Sequence, residues 1–155
     1  MRRKPDMIFL TVGTQFPFDR LVKVVDQACD AGLVQEKIIA QVGRTSYKPR
    51  NFEAVESLAK NDFDEILKNS SSLISHAGMG TITLALEHLK PLLVMPRLPK
   101  YNEIVNDHQS DIVTHFESQG HILVAHDERQ LPDKLKQLKT FVPKPRTNQA
   151  HKVVA

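Results

Sequence analysis

The sequence predicts an α/β fold with a doubly wound parallel sheet, and three observations support this prediction. Short apolar runs alternate with segments whose apolar residues recur at helical spacing. The apolar runs are nearly continuous, which is typical of parallel strands buried on both faces. Several of them end at a glycine, which suits a tight turn into the next helix. The alternation predicts a Rossmann-like sheet covered by helices on both sides.

Strands are predicted where β-branched and other apolar residues run together between turn signals. They cover residues 7–12, 37–42, 73–75, 91–95 and 121–125, and the weaker pattern over 52–58 is interpreted as a further short strand. Helices are predicted over 18–31, 62–68, 81–89, 105–119 and 129–138. Asp127 is expected to cap the last of these helices.

Length and composition indicate one soluble domain. The chain has 155 residues, of which 41% are hydrophobic and 25% charged, and both fractions are ordinary for a globular protein. No apolar run approaches the roughly 20 residues that cross a bilayer, and the apolar stretch behind the basic start is too short for a signal peptide. We therefore expect a cytoplasmic domain over residues 1–139, followed by a basic tail over 140–155.

Charge and cysteine content exclude several functions. The net charge is only +3, and no nucleic-acid-binding motif is present, so we expect no nucleic acid partner. The single cysteine, Cys29, falls among the apolar positions of a predicted helix, where we expect a buried residue rather than a nucleophile. Because the chain has only one cysteine, an internal disulfide and a cysteine-based zinc site are excluded. The seven histidines are scattered without metal-ligand spacing, so no metal is expected.

The most informative segment runs from Ser75 to Thr81, with the sequence SHAGMGT. It connects a predicted strand to a predicted helix through two glycines, which lets backbone N–H groups approach an anion closely. The helix N-terminus adds about half a positive charge. The third glycine and the acidic residue of a nicotinamide site are missing, as is the lysine of a P-loop. The segment therefore indicates a phosphate or diphosphate, although a glycine turn that merely starts a helix remains open.

A second polar segment should lie at the same edge of the sheet. Asn106, Asp107, His108 and Gln109 stand near the start of the helix that follows strand 91–95, and ligands bind such sheets outside the carboxyl ends of the strands. Donors and acceptors together in one turn suit a polyhydroxyl ligand, and a solvated first helical turn is the alternative. Arg44 and Arg97 also follow strands, as phosphate-neutralising groups or as solvated surface charges.

Three motifs in order resemble the donor-binding half of family 28 glycosyltransferases. They are Gly13-Thr14 with Phe18-Asp19, then His76 to Gly80, then Asn106 to Gln109, within roughly residues 7–138. The chain is most similar to single-half subunits of this family. These include the catalytic subunit of the dolichyl-diphosphate N-acetylglucosamine transferase and bacterial exopolysaccharide transferase subunits.

The resemblance implies the C-terminal half of a GT-B glycosyltransferase, which binds a UDP-sugar. The other half would be a separate, membrane-anchored subunit that binds a lipid-linked diphosphate glycan at the inner face of the membrane. This chain would join that membrane peripherally through its partner. The family inverts the anomeric carbon and needs no bound metal or other cofactor. Without its partner, the chain could form a homodimer through the open cleft.

The resemblance also implies the residues of the site. His76 would stabilise the leaving UDP, in a protonated form if its charge is used. The family's ribose-binding glutamate is replaced by Leu84, and Glu87, one helical turn further on, is a possible substitute. This departure favours the exopolysaccharide branch. The full predicted UDP-sugar site comprises Gly13, Thr14, His76, Ala77, Gly78, Met79, Gly80, Thr81, Glu87, Asn106, Asp107, His108 and Gln109.

The predicted function is therefore that of a catalytic, donor-binding subunit of a two-component inverting hexosyltransferase. It would transfer a hexose-type sugar from a UDP-sugar to a lipid-linked glycan in polysaccharide biosynthesis. The alternative is a non-catalytic nucleotide-binding or regulatory subunit of a membrane-associated complex. The Asp107-His108-Gln109 turn favours the transferase, because a scaffold would not need it.

Overall fold

The computed structural model describes residues 6–13, 16–101, 103 and 108–146. Strands and helices alternate along the chain as predicted. They are β1 (Met7–Thr11), α1 (Asp19–Asp30), β2 (Lys37–Gln41), β3 (Glu53–Val55), α2 (Lys60–Asn69), β4 (Ser72–His76), α3 (Met79–Glu87), β5 (Leu92–Met95), α4 (His108–Ser118), β6 (Leu123–Val124) and α5 (Leu131–Leu138). A short 3₁₀ turn, Pro99–Tyr101, lies between β5 and α4.

The six strands form one parallel sheet in the order β3-β2-β1-β4-β5-β6. The chain therefore runs outward from β1 to β3 and then returns to place β4 on the other side of β1. The point where the order reverses lies between β1 and β4, where Thr11 pairs with Ser75. In sheets of this type the ligand crevice opens outside the carboxyl ends of the two strands at the reversal. The fold is therefore Rossmann-like, and it fixes where a site is expected.

Two apolar layers hold the helices on opposite faces of the sheet. Successive strand residues point to opposite faces, so Leu10 packs in the layer under α1 and α5, whereas Phe9 packs in the layer under α2, α3 and α4. The ring of Phe9 meets that of Phe63 on α2 edge-to-face, with 5.1 Å between the centroids. Burial on both faces explains why the central strands read as continuous apolar runs rather than alternating ones.

Helices α1, α2, α3 and α5 each begin one or two residues away from the predicted start. Helix α3 begins at Met79 rather than Thr81, so both residues after Gly78 lie in its first turn. Helix α5 begins at Leu131 rather than Arg129. Asp127 caps the preceding turn instead, where its Oδ1 accepts from the backbone N–H groups of Arg129 and Gln130.

A buried carboxylate organises the long loop between β2 and β3. Asp26 of α1 is fully buried. It accepts hydrogen bonds from the hydroxyl of Tyr47, the backbone N–H groups of Arg50 and Asn51, and the Asn51 amide. Burial raises the pKa of Asp26, but these hydrogen bonds outweigh it and hold the pKa below its ordinary value. The polar loop is therefore fixed to α1 by one charged acceptor.

The chain after α5 is attached to the domain as far as it is described. The N–H of Lys144 donates to the carbonyl of Gly120 at 2.9 Å, and Nδ1 of His121 donates to the carbonyl of Lys144 at 2.6 Å. Phe141 packs against the core. Since Gly120 precedes β6, this segment lies near the amino ends of the strands, away from the crevice.

Two further sequence-based expectations concern membrane-spanning helices and the single cysteine. Among the described residues, no helix is long and apolar enough to span a membrane. Cys29 is half-buried rather than fully buried. Burial, with the nearby carboxylates of Asp26, Asp30 and Glu36, raises the pKa of its thiol to about 11. A thiol that stays protonated at neutral pH is a poor nucleophile.

Candidate functional site

The candidate site lies at the reversal of strand order, where β1 and β4 end side by side. Gly13 follows β1 and adopts a positive φ of 79°, which glycine tolerates. His76 is the last residue of β4 and pairs with Met95 at the end of β5. The glycine turn and the histidine motif, far apart in sequence, thus meet at one edge as predicted.

The imidazole of His76 lies between two glycine backbones. A Cβ atom added to Gly78 would fall 2.3 Å from Cε1 of His76, and one added to Gly13 would fall 3.0 Å from Nε2. Any side chain at Gly78 would therefore displace the ring. These glycines serve the site by leaving room for the histidine, in addition to the backbone approach that the sequence predicted.

Arg97 holds this arrangement together from the loop after β5. Its side chain is almost completely buried, with the whole residue 3% exposed. One guanidinium nitrogen, Nη2, donates to the carbonyls of Val12 and Phe16 at 2.8 and 2.6 Å, and Nη1 lies 3.0 Å from Nδ1 of His76. The guanidinium also lies over the ring of Phe18. A residue that could have been a solvated surface charge is instead the central connection between β1, β4 and β5.

The His76 ring is neutral, which corrects the suggestion of a protonated imidazole. Burial, and secondly the charge of Arg97, lower its pKa to about 4. A guanidinium can only donate, so Nδ1 of His76 accepts and the proton resides on Nε2. His76 therefore carries its donor proton on Nε2, the nitrogen that lies beside Gly13 and Gly78. Arg97 keeps its charge at neutral pH, since burial lowers its pKa only to about 10.

The N-terminus of α3 supplies further donors. Gly78 is its N-cap, with extended backbone and no side-chain capping bond. The first N–H groups of a helix have no partner within the helix, so those of Met79, Gly80 and Thr81 are available to an anion. Ala77 is buried beneath the turn, whereas Met79 and Gly80 are exposed. The predicted glycine loop therefore has the form of an anion-binding helix start.

Gln109, from the predicted polar segment Asn106 to Gln109, lies at the same edge of the sheet. Its Oε1 accepts from the backbone N–H of Arg97 at 3.2 Å, which brings the first turn of α4 to the end of β5. His108 is the first residue of α4. Thr14, Asn106, Asp107 and the side chain of His108 lie outside the described part of the structure, so their predicted roles stay predictions.

Glu87 does not join this cluster. It is exposed and is the last residue of α3. Eight residues separate it from Met79, which is roughly 12 Å along a helix axis. The structure therefore places the possible substitute for the ribose-binding glutamate at the opposite end of α3 from the glycine turn.

A charged cluster that the sequence did not reveal fixes the loop between β5 and α4. Arg20 on α1 pairs with Glu103 at 2.9 Å and with Glu128 at 2.9 Å. It also donates to the carbonyl of Pro96 at 3.1 Å and lies 4.6 Å from the centre of the Tyr101 ring. These residues are separated by up to 108 positions, so no local pattern could have joined them. The cluster holds the described part of this loop in place.

The described residues contain no group of three or more histidine, cysteine, aspartate or glutamate side chains able to hold a metal ion. The donors at the crevice are instead the neutral imidazole, the α3 N-terminus and the adjacent buried cation. This set suits a phosphate-containing ligand.

The fold and site define a Rossmann-like domain with a glycine turn and an uncapped helix start at its strand reversal. Residues 7–154 match the model of the glycosyltransferase family 28 C-terminal domain, and the chain belongs to this family. It is 33% identical over 124 residues to the mouse UDP-N-acetylglucosamine transferase subunit ALG13 and 29% identical over 125 residues to the human one. Each alignment covers 74% of this chain and 10% of the relative, so the chain spans about a tenth of these proteins.

Solved structures show the same fold. An NMR solution structure of ALG13 superposes with a TM-score of 0.65 at 21% identity, covering 92% of this chain and 89% of that one. The crystal structure of Acinetobacter baumannii MurG gives a TM-score of 0.61 at 21% identity. It covers 90% of this chain but only 42% of the MurG chain. The fold prediction, one half of a GT-B glycosyltransferase, is thereby confirmed.

Proposed function

We propose that this chain is the donor-binding subunit of a two-component, inverting UDP-sugar glycosyltransferase. The observation that carries the proposal is the neutral Nε2–H of His76, set between Gly13 and Gly78 beside the uncapped start of α3. These donors converge where β1 and β4 end. A diphosphate in this crevice would accept hydrogen bonds from both.

The chemistry follows from that placement. An oxygen of the acceptor attacks the anomeric carbon, the bond from that carbon to the β-phosphate oxygen breaks, and UDP leaves with the electron pair. The acceptor proton passes to a base, which the described residues do not identify. Donors aimed at the leaving phosphate stabilise the charge as it develops. His76 acts here as a neutral donor and so needs no proton from solvent, and the residues present can perform this role without a metal.

The proposed partner is a membrane-anchored subunit that binds the acceptor, a lipid-linked diphosphate glycan. Three large apolar side chains are exposed in the segments that follow β1, β4 and β5, namely Phe16 at 57%, Met79 at 44% and Tyr101 at 41%. We call these three residues the apolar rim. The three segments follow neighbouring strands, so the rim borders the crevice, where a second half would close it. The word "subunit" in the names of the mammalian relatives agrees with a partner. We place the chain in the cytoplasm, peripheral to the inner membrane face.

The sugar is proposed only as a hexose-type unit. The names of the curated relatives favour N-acetylglucosamine. Leu84 in place of the family's ribose-binding glutamate supports a polysaccharide pathway such as exopolysaccharide synthesis. A panel of UDP-sugars separates these two candidates.

Calorimetric titration tests the proposal. The full chain is titrated with UDP, UDP-N-acetylglucosamine, UDP-glucose, UDP-galactose, UDP-glucuronate and NAD, and His76→Asn and Gln109→Ala are titrated beside it. Asparagine keeps an acceptor for Arg97 but lacks the Nε2–H donor. We expect UDP binding that is lost in His76→Asn, and discrimination among sugars that is lost in Gln109→Ala. Binding of NAD in preference to UDP compounds would refute the donor-site proposal. UDP binding without transfer by the reconstituted complex would favour the regulatory alternative.

A further inference from the structure

The buried cation Arg97 has a described carboxylate, Glu103, within electrostatic range but not in ion-pair contact. Among the described residues no aspartate or glutamate lies within ion-pair distance of its guanidinium. Its partners are two carbonyls and the Nδ1 atom of His76, and its Nε atom is buried without a partner. Burying a charge in this way is costly. A solvated surface position would avoid that cost, so the arrangement calls for a functional reason.

The guanidinium determines what His76 can offer to a ligand. Neutral imidazole has one donor and one acceptor nitrogen, and their assignment follows from the partner of either one. Because Arg97 only donates, Nδ1 is the acceptor and Nε2 carries the proton. Nε2 faces the two glycines, 2.9 Å from the position of a Cβ on Gly78. The donor side of the ring is therefore turned toward the glycine turn.

The backbone N–H of Arg97 fixes the orientation of the Gln109 carboxamide in the same way. A carboxamide can donate or accept, and its two ends are alike in shape. The Arg97 N–H is a donor, so the atom of Gln109 that faces it at 3.2 Å must be the oxygen. The amide NH₂ is then the end that remains to donate. One residue thus uses two different groups to orient two side chains.

We propose that Arg97 is a positioning residue that makes both His76 and Gln109 hydrogen-bond donors toward the crevice. A site lined by donors selects a ligand rich in acceptor oxygens, namely phosphate oxygens at His76 and a sugar oxygen at Gln109. The inference rests on the proposed function for the identity of that ligand. The orientation of the two side chains is a property of the free protein and is measured without any ligand.

The test uses the full chain labelled with ¹⁵N, in four forms. Arg97→Met removes the donors, and Arg97→Lys keeps the charge but loses the planar fork that reaches several acceptors at once. Arg129→Met is the matched control, since the Arg129 side chain is 91% exposed and pairs only with neighbouring Asp127 among the described residues. NMR correlation of imidazole nitrogens with ring protons reports the tautomer of His76 and its titration. Calorimetry with UDP reports affinity.

We expect wild-type His76 to be the Nε2–H tautomer throughout pH 6–8, and Arg129→Met to match it. In Arg97→Met we expect a mixture of tautomers and UDP affinity about tenfold lower, as for other residues that orient a binding group. Arg97→Lys, whose ammonium also only donates but lacks the fork, should fall between Arg97→Met and the wild type. Loss of the Arg97 charge in Arg97→Met should also raise the pKa of His76 from about 4. A purely structural role would lower stability while leaving the tautomer of the folded protein unchanged.

Two results would overturn the inference. One is an Nδ1–H tautomer in the wild-type chain, a measurement that needs no variant to fold. The other is a folded Arg97→Met variant that keeps the wild-type tautomer and affinity. If the wild-type chain binds no UDP, the donor-site proposal fails, and the tautomer comparison still decides the role of Arg97.

Discussion

The Nη1 atom of Arg97, in the loop after β5, lies 3.0 Å from Nδ1 of His76, the last residue of β4. Strands β4 and β5 are neighbours, and His76 pairs with Met95 two residues before Arg97. The contact therefore follows directly from the strand order. It holds the imidazole of His76 neutral, and we expect this to make stability depend on pH.

Stability should fall as His76 becomes protonated in the unfolded chain. Its pKa is about 4 in the folded protein and about 6.5 in the unfolded chain. Its contribution is thus complete above pH 6.5 and is lost as pH falls toward 4, because the unfolded state binds the proton first. The expected loss is about 3 kcal/mol. Urea unfolding of the wild type and His76→Gln at pH 7 and pH 4.5 measures most of this difference.

The His76→Gln variant supplies the control for the urea unfolding measurement. His76→Gln cannot titrate, so its stability should vary less between the two pH values. The buried carboxylate Asp26, whose pKa lies below its ordinary value of 3.8, loses its contribution mainly at lower pH than this measurement covers. Equal losses of unfolding free energy between pH 7 and pH 4.5 in the wild type and His76→Gln would show that His76 is not held neutral by the fold.

A methyl group at Gly78 should disable the site without unfolding the domain. Gly78 has an ordinary extended backbone, φ −86° and ψ 134°, so alanine is tolerated by the chain itself. Its Cβ would lie 2.3 Å from Cε1 of His76 and force the ring away from Arg97. We expect UDP affinity to fall at least about tenfold, as measured by calorimetry.

Gly80→Ala is the matched control for that change. A Cβ at Gly80 would meet nothing within 4 Å, so the NMR signals of His76 should match the wild type, whereas Gly78→Ala should shift them. Unshifted His76 signals in Gly78→Ala would contradict the steric argument.

Replacing Asp26 should destabilise the domain more than replacing its neighbour on the same helix. Asp26→Asn leaves an amide among four donors that require an acceptor, at an expected cost of about 2–3 kcal/mol. Asp30→Asn changes an exposed carboxylate that shares Asn51 and Arg50, and should cost under about 0.5 kcal/mol. Urea unfolding distinguishes them, and similar costs would show that the buried carboxylate does not organise the loop.

The apolar rim should promote self-association of the isolated chain. Phe16→Ser and Tyr101→Ser remove exposed apolar area beside the crevice, which would weaken a homodimer that buries this face. Val142→Ser is the control, because Val142 is 81% exposed but lies near the amino ends of the strands. Sedimentation equilibrium over a range of concentrations measures the effect. A wild-type monomer at every concentration, or equal effects of all three variants, would argue against this face.

Apolar periodicity together with turn signals was enough to place every β-strand and α-helix that the structure describes, although not the 3₁₀ turn at Pro99–Tyr101. Even the ambiguous segment over 52–58 contains a strand, Glu53–Val55. Boundaries were less accurate, because helix starts depend on backbone hydrogen bonds rather than on apolar spacing. Helix α3, for example, begins at Met79, where the spacing of apolar residues gives no signal for a helix start.

The candidate site was only partly predictable. Gly13, His76 and Gly78 were recognised from a motif, and the parallel sheet explains why they meet. Arg97 was recognised as close to the site but not as buried, since its environment is built from Val12, Phe16 and His76, which lie up to 85 positions away. Its position directly after a fully apolar strand was the available signal.

By itself the sequence determined the α/β class, the sites of the glycine turns and the family, because periodicity and motifs are local properties of the chain. Only the tertiary structure decided that His76 is neutral, that Arg97 is buried and that Glu87 stands apart. Those properties depend on desolvation and on contacts between distant residues. The protonation of an imidazole follows from what surrounds it, and strand order decides what surrounds it.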